Sequence, residues 1–349
     1  MSDKILTLVL GSNLGDRSQN LENALQLLGN QLNTPCFRSS PALSTKAVGF
    51  EGPEFLNLIA QYKTNLDPFL VLKICKQIEH ALGRTDSPEY DSEGRRVYHD
   101  RTIDIDILSY GGLRLDTPEL TLPHPQIFER AYIEDLLATM LPVINPEIRK
   151  YVEDDILPRY DSFDKAHRRS HVGTVISQAL RLSLFYDVDP DMIYVAAAYH
   201  DTGLCVDRKT HHLESSRIIR SDTALTKWFS QESISIIADA AEDHRASSEH
   251  EPRTDYGRII AEADRQIDPR TIVERTVQFG MSHYPELHKE GHWQRMNAHL
   301  LEKYAEGGYL KLWIPESQNV VRLETLRSLI RDERHLREIF EEVYTSEMD

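Results

Sequence analysis

The chain has 349 residues, which is more than one ordinary hydrophobic core accommodates and predicts two domains. A formal net charge of −16 argues against a nucleic-acid backbone as the main partner, and no apolar run is long enough to span a bilayer. Three widely spaced cysteines and an N-terminus that lacks a secretory signal pattern predict a soluble protein of the cytoplasm.

The first 140 or so residues mix the periodicities of strands and helices. The predicted elements, in chain order, are a buried strand Ile5–Leu10, a turn cluster Gly11–Asp16, a helix containing Leu21 to Leu32, a strand Phe55–Tyr62, and a helix that starts at Asp67-Pro68 and ends at Gly83. Residues 34–54 and the polar residues 85–100 are expected to form loops. Together these elements predict a compact α+β domain.

Two acidic residues occupy one face of a further predicted strand, Arg101–Leu108. Asp104 and Asp106 are two residues apart, so a strand places both carboxylates on the same side. Such a pair repels unless a cation lies between its members, and Mg²⁺ is the usual occupant because it shares oxygen ligands with substrate phosphates. The alternative is a solvent-exposed strand face that carries two acids. The residues of this strand alone leave both interpretations open.

Five separated motifs across roughly residues 4–146 resemble the family of 6-hydroxymethyl-7,8-dihydropterin pyrophosphokinases, and they occur in the order found there. They are Gly11-Ser12-Asn13, the run from Val48-Gly49 to Phe55-Leu56-Asn57, Ile78-Glu79 to Gly83-Arg84, Arg101 to Ile107, and Leu122-Pro123-His124-Pro125. The resemblance implies a ferredoxin-like fold. It also implies transfer of pyrophosphate from ATP to the hydroxymethyl group of a pterin, in folate biosynthesis.

The resemblance further implies roles for individual residues. Asp104 and Asp106 would hold two Mg²⁺ ions with ATP, and the catalytic set would be completed by Arg84 and Arg101. The residues implied for ATP binding are Glu79, Arg84, Arg101, His124 and Arg130. Those implied for the pterin are Phe55 and Tyr132, which would sandwich its ring, and Thr45 and Asn57, which would bind its edges. A degenerate kinase fold kept as a scaffold is the non-enzymatic alternative.

Some positions depart from the family pattern. Lys76 stands where the family often has glutamine, and the loop before Arg101 is longer than usual. Within that loop Arg95 and Arg96 compete for one basic role, and Tyr98 replaces a common tryptophan. Their individual roles stay open. The loop is expected to close over ATP and exclude water.

From about Pro146 the pattern becomes almost wholly helical, so we expect a pyrophosphokinase domain at 1–146 and a second, all-α domain at 147–349. Histidines and aspartates recur at the ends of its apolar helices: His171, His200-Asp201, His211-His212, His244 and Asp264. Each one alone is more often a core residue than a ligand. Together they need partners, because unpaired buried polar groups are costly, and a metal centre would satisfy all of them.

This second pattern resembles the HD superfamily of metal-dependent phosphohydrolases. The resemblance implies metal ligands at His171, His200, Asp201, His211, His244 and Asp264, holding one or two ions such as iron or manganese, with Asp201 as a possible bridge. His211 fits better than His212, although the choice stays open. Lys209, Arg245 and Arg265 are candidate phosphate contacts, with a surface role as the alternative for each.

The substrate of this domain is open at this level: a pterin phosphate or a nucleotide is expected. The competing interpretation is a non-catalytic module that binds a ligand or dimerises the chain.

In the last 70 residues, four irregularly spaced histidines are interpreted as surface or packing residues, namely His283, His288, His292 and His299. A final amphipathic helix, from Leu323 to Ile330, packs on the domain or forms a homodimer face.

Overall fold

A computed structural model describes residues 3–47, 50–84, 89–90, 93, 96–97, 99–163, 168–248 and 250–348. The chain divides into two compact units. The first comprises Met1–Val143 and Leu180–Pro190, and the second comprises Ile144–Ala179 and Asp191–Asp349. Among the described residues, no helix combines the length and the apolarity that a membrane crossing requires.

The first unit is an α+β structure, as the sequence predicts. Its strands are β1 (Lys4–Ser12), β2 (Arg38–Ser39), β3 (Leu43–Thr45), β4 (Phe55–Thr64), β5 (Glu89–Tyr90), β6 (Arg96–Val97), β7 (Asp104–Tyr110), β8 (Leu115–Asp116) and β9 (Thr121–Leu122). Its helices are α1 (Arg17–Leu32), α2 (Pro68–Ala81), α3 (Gln126–Glu129) and α4 (Ala131–Thr139). Asp67 caps α2 as predicted, since its carboxylate accepts hydrogen bonds from the backbone of Phe69 and Leu70.

The central sheet has the order β2-β4-β1-β7, and β3 pairs with the other end of β4. Every pairing is antiparallel. The sheet departs from the sequence prediction in two places. Strand β1 continues through Gly11 and Ser12, which were expected in a turn, and the segment 34–54 contributes the two short strands β2 and β3 instead of only a loop.

Alternation along the strands gives the sheet two apolar faces. On one face, Leu6, Leu8 and Leu10 pack with residues of α1 and α2 such as Leu28 and Ile78. The opposite face has its own core, whose buried residues are Val9, Ile59, Leu108, Ile127, Ile133, Leu136, Leu137, Met140, Leu184 and Phe185. The carboxylates of Asp104 and Asp106 alternate with the buried Ile105 and Ile107, so they lie on this second face.

Residues 180–190 therefore complete the core of the first unit although they come later in the chain. Leu184 and Phe185 are almost fully buried there, and the carbonyl of Leu184 accepts a hydrogen bond of 2.7 Å from the side chain of Gln61. Lys63 pairs with Asp187 at 2.7 Å, and Arg181 binds the Glu134 carboxylate. The sequence prediction did not include this segment in the first domain.

The described part of the second unit is all-helical, as predicted. Its α-helices are α5 (Pro146–Tyr151), α6 (Arg169–Ser183, whose residues from Leu180 count with the first unit), α7 (Pro190–Tyr199), α8 (His211–Ser221), α9 (Gln231–Glu242), α10 (Asp255–Asp264), α11 (Pro269–His283), α12 (Lys289–Tyr304), α13 (Asn319–Arg331) and α14 (Glu333–Met348). Shorter turns of π- or 3₁₀-helix occupy Val152–Ile156, Leu157–Ser162, Thr202–Cys205 and Thr223–Lys227.

The helices after Asp264 share one apolar core. Val273 on α11, Met296 and Leu300 on α12, Leu326 on α13 and Phe340 on α14 are all fully buried in it. Helix α11 begins at Pro269, because the Asp268 carboxylate caps it by accepting a hydrogen bond from the backbone of Thr271 and proline is favoured in the first turn. This core fixes the relative positions of α11 and α12, which line a cavity described below.

Candidate functional site

A row of residues across three neighbouring strands forms the floor of a cleft in the first unit. Gly11 of β1 pairs with Asn57 of β4 on one side and with Asp104 of β7 on the other. Two residues before Gly11, on the same face of β1, Val9 pairs with Asp106. A Cβ at position 11 would lie 2.7 Å from the Asn57 Oδ1, so this row requires glycine at its centre.

The cleft above this row has a volume of about 610 Å³, part of it open to solvent. It is lined by Val9, Gly11, Thr45, Lys46, Phe50, Phe55, Asn57, Arg101, Asp104, Asp106, Gln126, Arg130 and Tyr132. Eight of these are site residues predicted from the sequence, including all four predicted pterin contacts. Gly11 and Phe50 lie within motifs that carry the family resemblance, although no role was predicted for them. Val9, Lys46 and Gln126 were not predicted, and their local sequence carries no motif that separates them from ordinary strand or loop residues.

The aromatic and amide groups of the cleft are held in place by neighbours. Asn57 Nδ2 donates a 2.7 Å hydrogen bond to Thr45 Oγ1. The ring of Phe55 meets that of Phe50 edge to face, with 6.3 Å between the centroids. Burial raises the pKa of Tyr132 to about 12, so its hydroxyl stays protonated at neutral pH. The cleft thus presents rings and neutral hydrogen-bonding groups beside its carboxylates.

Asn13 fixes the start of the aspartate strand from a distant part of the chain. Its Oδ1 accepts a 2.7 Å hydrogen bond from the backbone N–H of Arg101, and its own backbone N–H donates to the Arg101 carbonyl at 3.1 Å. Its Nδ2 donates to Asp100 at 2.6 Å. The Gly-Ser-Asn cluster therefore positions the arginine rather than forming a simple turn.

Two arginines neutralise Asp104. Arg84 donates to Oδ1 at 2.5 Å and Arg101 donates to Oδ2 at 2.6 Å. Burial by itself would raise the pKa of Asp104, but the charges of Arg101 and Arg84 outweigh it and hold that pKa below its ordinary value. Asp104 is therefore ionised at neutral pH.

Glu79 organises the same arginine from the opposite side. Its carboxylate is buried and accepts hydrogen bonds from Arg84 at 2.7 Å, from Lys76 at 2.9 Å and from the backbone N–H of Ile105 at 2.8 Å. Burial raises its pKa. Neither Glu79 nor Arg84 lines the cleft, so the structure places them beneath it. Lys76, at the position that departs from the family pattern, completes the charge pairing.

Asp106 contrasts with Asp104. No residue that the structure describes donates a hydrogen bond to its carboxylate. Burial, and then the charge of Asp104, raise its pKa to about 7. A carboxylate beside a second one, without its own donor, is suited to a hard divalent cation, which prefers oxygen ligands. These two residues therefore fit the magnesium that the sequence predicts.

The remaining predictions for the first site have separate outcomes. Arg130 lines the cleft. His124 does not, but its backbone N–H donates to the Leu108 carbonyl at 2.8 Å beside β7, and burial lowers the pKa of its side chain. Arg95, Tyr98 and the side chain of Arg96 fall outside the described residues, as does most of the loop that was expected to close over ATP.

A cluster of imidazoles and carboxylates occupies the second unit. Every member lies at or near the end of a helix: His171 in the first turn of α6, His200-Asp201 after α7, His211 at the start of α8, His244 after α9, and Asp264 at the end of α10. The described residues contain two groups able to hold a metal ion, and these are His171-His200-Asp201 and Asp201-His211-His244.

Asp201 belongs to both groups. Its Oδ2 lies 3.3 Å from His200 Nε2 and 3.6 Å from His171 Nε2. Its Oδ1 lies 3.5 Å from the Nε2 atoms of both His211 and His244. Within each group the ligand atoms lie within 4.8 Å of one another. One carboxylate therefore faces two pairs of imidazoles, as a bridging ligand does.

The Nδ1 atoms of three of these histidines each lie within hydrogen-bond distance of the carbonyl three residues earlier: His200 with Ala197 at 2.7 Å, His211 with Arg208 at 2.9 Å, and His244 with Ala241 at 2.5 Å. When Nδ1–H donates to a carbonyl, the lone pair lies on Nε2. In all three cases Nε2 is the atom that faces Asp201. The helix ends thus set the tautomer that a metal ligand requires.

Asp264 and Gln266 complete the surroundings of His171. Asp264 Oδ1 is 3.2 Å from His171 Nε2, and the side-chain amide of Gln266 is 3.2 Å from Nδ1. Burial opposes ionisation of both groups, yet hydrogen bonds with Asp201 and Asp264 raise the pKa of His171 to about 9, and the hydrogen bond with His171 lowers the pKa of Asp264 below its ordinary value. The group therefore has a strong affinity for positive charge.

His211 and His212 differ in their position relative to the cluster. His211 lies in the cluster, with its Nε2 3.1 Å from that of His244. The Nδ1 of His212 is buried without a hydrogen-bond partner among the described residues, and burial followed by the charge of Arg245 lowers the pKa of His212 to about 4. The structure brings His211, and not His212, to the centre.

A cavity of about 1,100 Å³, partly open to solvent, adjoins this cluster. His171, Asp264 and Arg265 line it, so one of the three cations considered from the sequence lies beside the centre. Arg275, Arg295 and Lys303 also line it and were missed. A signal was present, because Arg295, His299 and Lys303 recur every four residues and so share one face of α12.

Comparison with known proteins finds two family matches in the chain. A family model described as 7,8-dihydro-6-hydroxymethylpterin-pyrophosphokinase (HPPK) matches residues 7–142, and an HD domain model matches residues 168–266. Two relatives carry the name 2-amino-4-hydroxy-6-hydroxymethyldihydropteridine pyrophosphokinase. The protein from Porphyromonas gingivalis is 41% identical over 145 residues, covering 41% of this chain and 95% of its own. The one from Bacillus subtilis is 34% identical over 146 residues, covering 42% and 83%.

A third relative, named as a mitochondrial folate synthesis bifunctional protein from Pisum sativum, is 34% identical over 148 residues, which is 40% of this chain and 26% of that protein. Residues 267–348 lie beyond both matched segments. By the relatives that it matches over nearly their full length, the chain belongs to the 7,8-dihydro-6-hydroxymethylpterin-pyrophosphokinase family, and it carries an HD domain after that region.

Proposed function

We propose that the first unit transfers pyrophosphate from ATP to the hydroxymethyl group of 6-hydroxymethyl-7,8-dihydropterin and releases AMP, in folate biosynthesis. The observation that carries this proposal is the cleft itself. It unites the paired carboxylates and an arginine with an aromatic and amide surface, on a chain that belongs to the HPPK family.

Within this cleft we assign the pterin ring to Phe55 and Tyr132, and its hydrogen-bonding edges to Asn57 and Thr45. These groups hold the acceptor hydroxyl in place, and positioning supplies much of the rate of such a transfer. Asn57 already donates to Thr45, so its Oδ1 is the atom left to accept from a ligand. Gly11 leaves the room for that contact.

On the phosphate side we assign Arg101 and Arg130, which line the cleft, and Arg84, which lies next to Asp104. An arginine fork matches phosphate oxygens, and its charge opposes the negative charge of the triphosphate. His124 is assigned to the nucleotide. Glu79 is a positioning residue, because its buried carboxylate holds Arg84 from below.

Asp104 and Asp106 would hold Mg²⁺, which neutralises phosphate charge when it is bound with ATP. We propose two ions, as the family resemblance implies.

The antiparallel order β2-β4-β1-β7 fits the ferredoxin-like fold that we propose for this unit. We keep residues 1–146 and 147–349 as the two domains, with the amendment that Leu180–Pro190 packs with the first.

The test for the first activity is AMP release from ATP in the presence of 6-hydroxymethyl-7,8-dihydropterin. The wild-type chain should release AMP only when the pterin is present, and Asp106→Ala should abolish the release. Asp135→Ala is a suitable control, because Asp135 is an exposed acid on α4 away from the cleft. Absence of pterin-dependent AMP release in the wild type would favour the scaffold alternative.

For the second unit we propose metal-dependent phosphohydrolysis at the His/Asp centre. The observation that carries it is Asp201, whose two oxygens face two separate pairs of imidazoles. His171, His200, His211, His244, Asp201 and Asp264 would hold one or two divalent ions, and their imidazoles suit iron, manganese or similar metals. A bound ion of this kind lowers the pKa of a coordinated water and supplies a hydroxide nucleophile.

The substrate class is a phosphate ester or anhydride, with a pterin phosphate or a nucleotide as the proposed forms. The competing function is a non-catalytic module that binds a ligand or dimerises. Metal analysis and a phosphatase assay with Mn²⁺ separate the two. An enzyme should contain one or two transition metal ions per chain and lose both metal and activity in His200→Ala, whereas a non-catalytic module should show neither property.

The cellular compartment is proposed from cysteine usage. Cys36, Cys75 and Cys205 are all free thiols, which is typical of a reducing environment. We therefore propose that the chain works in the cytoplasm, where ATP is also available to the first unit.

A further inference from the structure

Resting on the phosphohydrolase function proposed above, the structure points to the chemical class of its substrate. We propose that the cavity beside the His/Asp centre binds the phosphate chain of an organic polyphosphate. Arg275, Arg295 and Lys303 would hold the phosphates that lie beyond the one attacked at the centre. The enzyme would therefore cleave phosphoanhydrides in preference to simple monoesters.

The cavity beside the His/Asp centre carries an excess of positive charge. Among the described residues, its lining contains Arg265, Arg275, Arg295 and Lys303 and a single acid, the centre's own Asp264. Within the described part of the chain, none of these four cations forms an ion pair with a carboxylate. Four cations beside a single carboxylate stand out in a chain with a net charge of −16. Such a concentration of positive charge favours a ligand with several negative charges.

Arg295 is held in a fixed orientation by its neighbours. Its Nη2 donates to the Thr276 carbonyl at 2.5 Å, and its guanidinium lies 5.4 Å from the ring centroids of both Phe279 and Tyr284. These neighbours orient the group without cancelling its charge. Its Nε is buried without a hydrogen-bond partner among the described residues. Arg295 also lines the cavity, and a guanidinium held in this way can donate its remaining N–H groups to an anionic oxygen.

The cations of α11 and α12 follow the faces of their helices. Arg275 and Phe279 share one face of α11, and Arg295, His299 and Lys303 share one face of α12. Burial, followed by the charges of Lys303 and Arg295, lowers the pKa of His299, so both charges act at the same point of the cavity wall. The cations are therefore distributed along a wall that begins at His171 and Asp264, as a phosphate chain requires.

The aromatic residues of the cavity do not identify an organic group. One side of Phe279 stacks on His283, with 3.9 Å between ring centroids, and Arg295 lies over the same ring. Its faces are thus engaged by the protein. The proposed ligand contacts are therefore those of the phosphate chain alone. The residues that make them lie mostly beyond the HD match at 168–266.

In the proposed reaction, the oxygen of a water molecule bonds to the reacting phosphorus, and the bond from that phosphorus to the bridging oxygen breaks. One proton of the water passes to solvent or to the bridging oxygen of the departing phosphate chain. Because the cations hold the departing chain, they stabilise the negative charge that develops there. A simple monoester leaves an uncharged alcohol and gains nothing from these residues.

The test compares binding of inorganic tripolyphosphate with binding of orthophosphate to the full-length chain, measured by calorimetry. The variant is Arg275→Gln/Lys303→Gln, since Arg275 is exposed, Lys303 is half-buried, and neither forms an ion pair with another described residue. Each lost charge-assisted contact should weaken tripolyphosphate binding by roughly tenfold or more, with little change for orthophosphate. Any binding in the first unit is common to all variants and cancels in the comparison.

Arg270→Gln is the matched control, because Arg270 lies on the same helix but is exposed and paired with Glu274 and Glu342. A second variant, Gly280→Ala, tests Arg295 indirectly, since the new Cβ would lie 2.9 Å from its Nε. It should also weaken tripolyphosphate binding. Thermal melting confirms that each variant is folded.

Equal tripolyphosphate binding in the wild type and Arg275→Gln/Lys303→Gln would overturn the proposal. So would equal affinity of the wild type for orthophosphate and tripolyphosphate. With Mn²⁺ present, phosphate release from tripolyphosphate by the double variant should fall by a larger factor than its hydrolysis of p-nitrophenyl phosphate, and Arg270→Gln should match the wild type on both compounds. If the wild type hydrolyses neither compound but the binding difference persists, the phosphohydrolase function is contradicted and the polyphosphate site remains.

Discussion

The two units assemble carboxylates in opposite ways. In the first, Asp104 is neutralised by Arg84 and Arg101 while its neighbour Asp106 has no donor among the described residues. In the second, Asp201 lies among four imidazoles whose tautomers are set mostly by backbone carbonyls. The first arrangement suits a hard cation that arrives with its nucleotide, and the second suits a resident transition metal.

The sharpest test of this comparison is removal and replacement of metal. Treatment with a chelator should abolish both activities. Added Mg²⁺ should then restore pyrophosphoryl transfer fully, since oxygen ligands suit it, whereas phosphohydrolase activity should return only with Mn²⁺ or Fe²⁺. Paired assays of AMP release and phosphate release measure the two. Full recovery of both activities with Mg²⁺ alone would remove the proposed distinction between the sites.

Arg101→Ala should act on the first site alone. It removes one of the two cations from Asp104 and a charge from the cleft, so kcat for AMP release should fall by roughly 10³-fold, as expected when a phosphate-stabilising arginine is lost. Phosphohydrolase activity should be unchanged. Arg114→Ala is the control, because Arg114 is exposed and lies outside the cleft. A loss of less than threefold would show that Arg101 only supports the strand.

Gln266→Ala should act on the second site alone. Its amide contacts Nδ1 of His171, and loss of such a partner typically weakens metal binding by about 10–100-fold. Metal content after dialysis against a graded chelator series measures the effect. Gln278→Ala is the control, since that glutamine is exposed and bonds only to Glu347. Unchanged metal retention in Gln266→Ala would mean that His171 needs no second contact.

Gly11→Ala should have a smaller, selective effect. The new Cβ would lie 2.7 Å from Asn57 Oδ1 and would displace that amide. We expect the KM for the pterin to rise by roughly two- to tenfold, as loss of one hydrogen bond predicts, with little change in the KM for ATP. Gly29→Ala is the control, because its Cβ would meet only the Thr34 carbonyl at 3.6 Å. Equal changes for both substrates would contradict the assignment of Asn57.

The smallest expected effect is a pH dependence of stability in metal-free protein. Burial and Asp104 raise the pKa of Asp106 from 3.8 to about 7, so between those values the folded chain binds more protons than the unfolded chain. The free energy of unfolding of the first unit should therefore fall as pH rises through that range. Asp106→Asn should remove this fall and raise Tm near pH 7 by a few degrees. If the free energy of unfolding has the same pH dependence in Asp106→Asn and in the control Asp135→Asn, Asp106 is not the group responsible.

The parts of both sites that follow from the sequence are those encoded by short-range patterns. Period two placed Asp104 and Asp106 on one face of a strand, and the apolar helices before His200 and His244 indicated polar groups at their ends. Motif resemblance then singled out eight residues that line one cleft. Local sequence was a sufficient guide in these cases because neighbouring residues determine the geometry.

Other features depend on contacts that local patterns do not contain. Gly11 and Ser12 have weak strand propensity, yet pairing with both β4 and β7 extends β1 through them. The cations on α11 and α12 have the spacing of a common face, but the same spacing describes an ordinary solvated surface. Only the packing of both helices in one core shows that these residues line a cavity.

Leu184 and Phe185 make the first unit discontinuous along the chain. They supply part of its core from a point in the chain that lies beyond the start of the HD match at residue 168. A gene fragment that ends at residue 146 would therefore encode an incomplete core, and its product would expose apolar residues such as Ile133 and Leu136. An exchange of residues 1–146 alone would separate the first unit from part of its core, so we expect the two units of this chain to be inherited together.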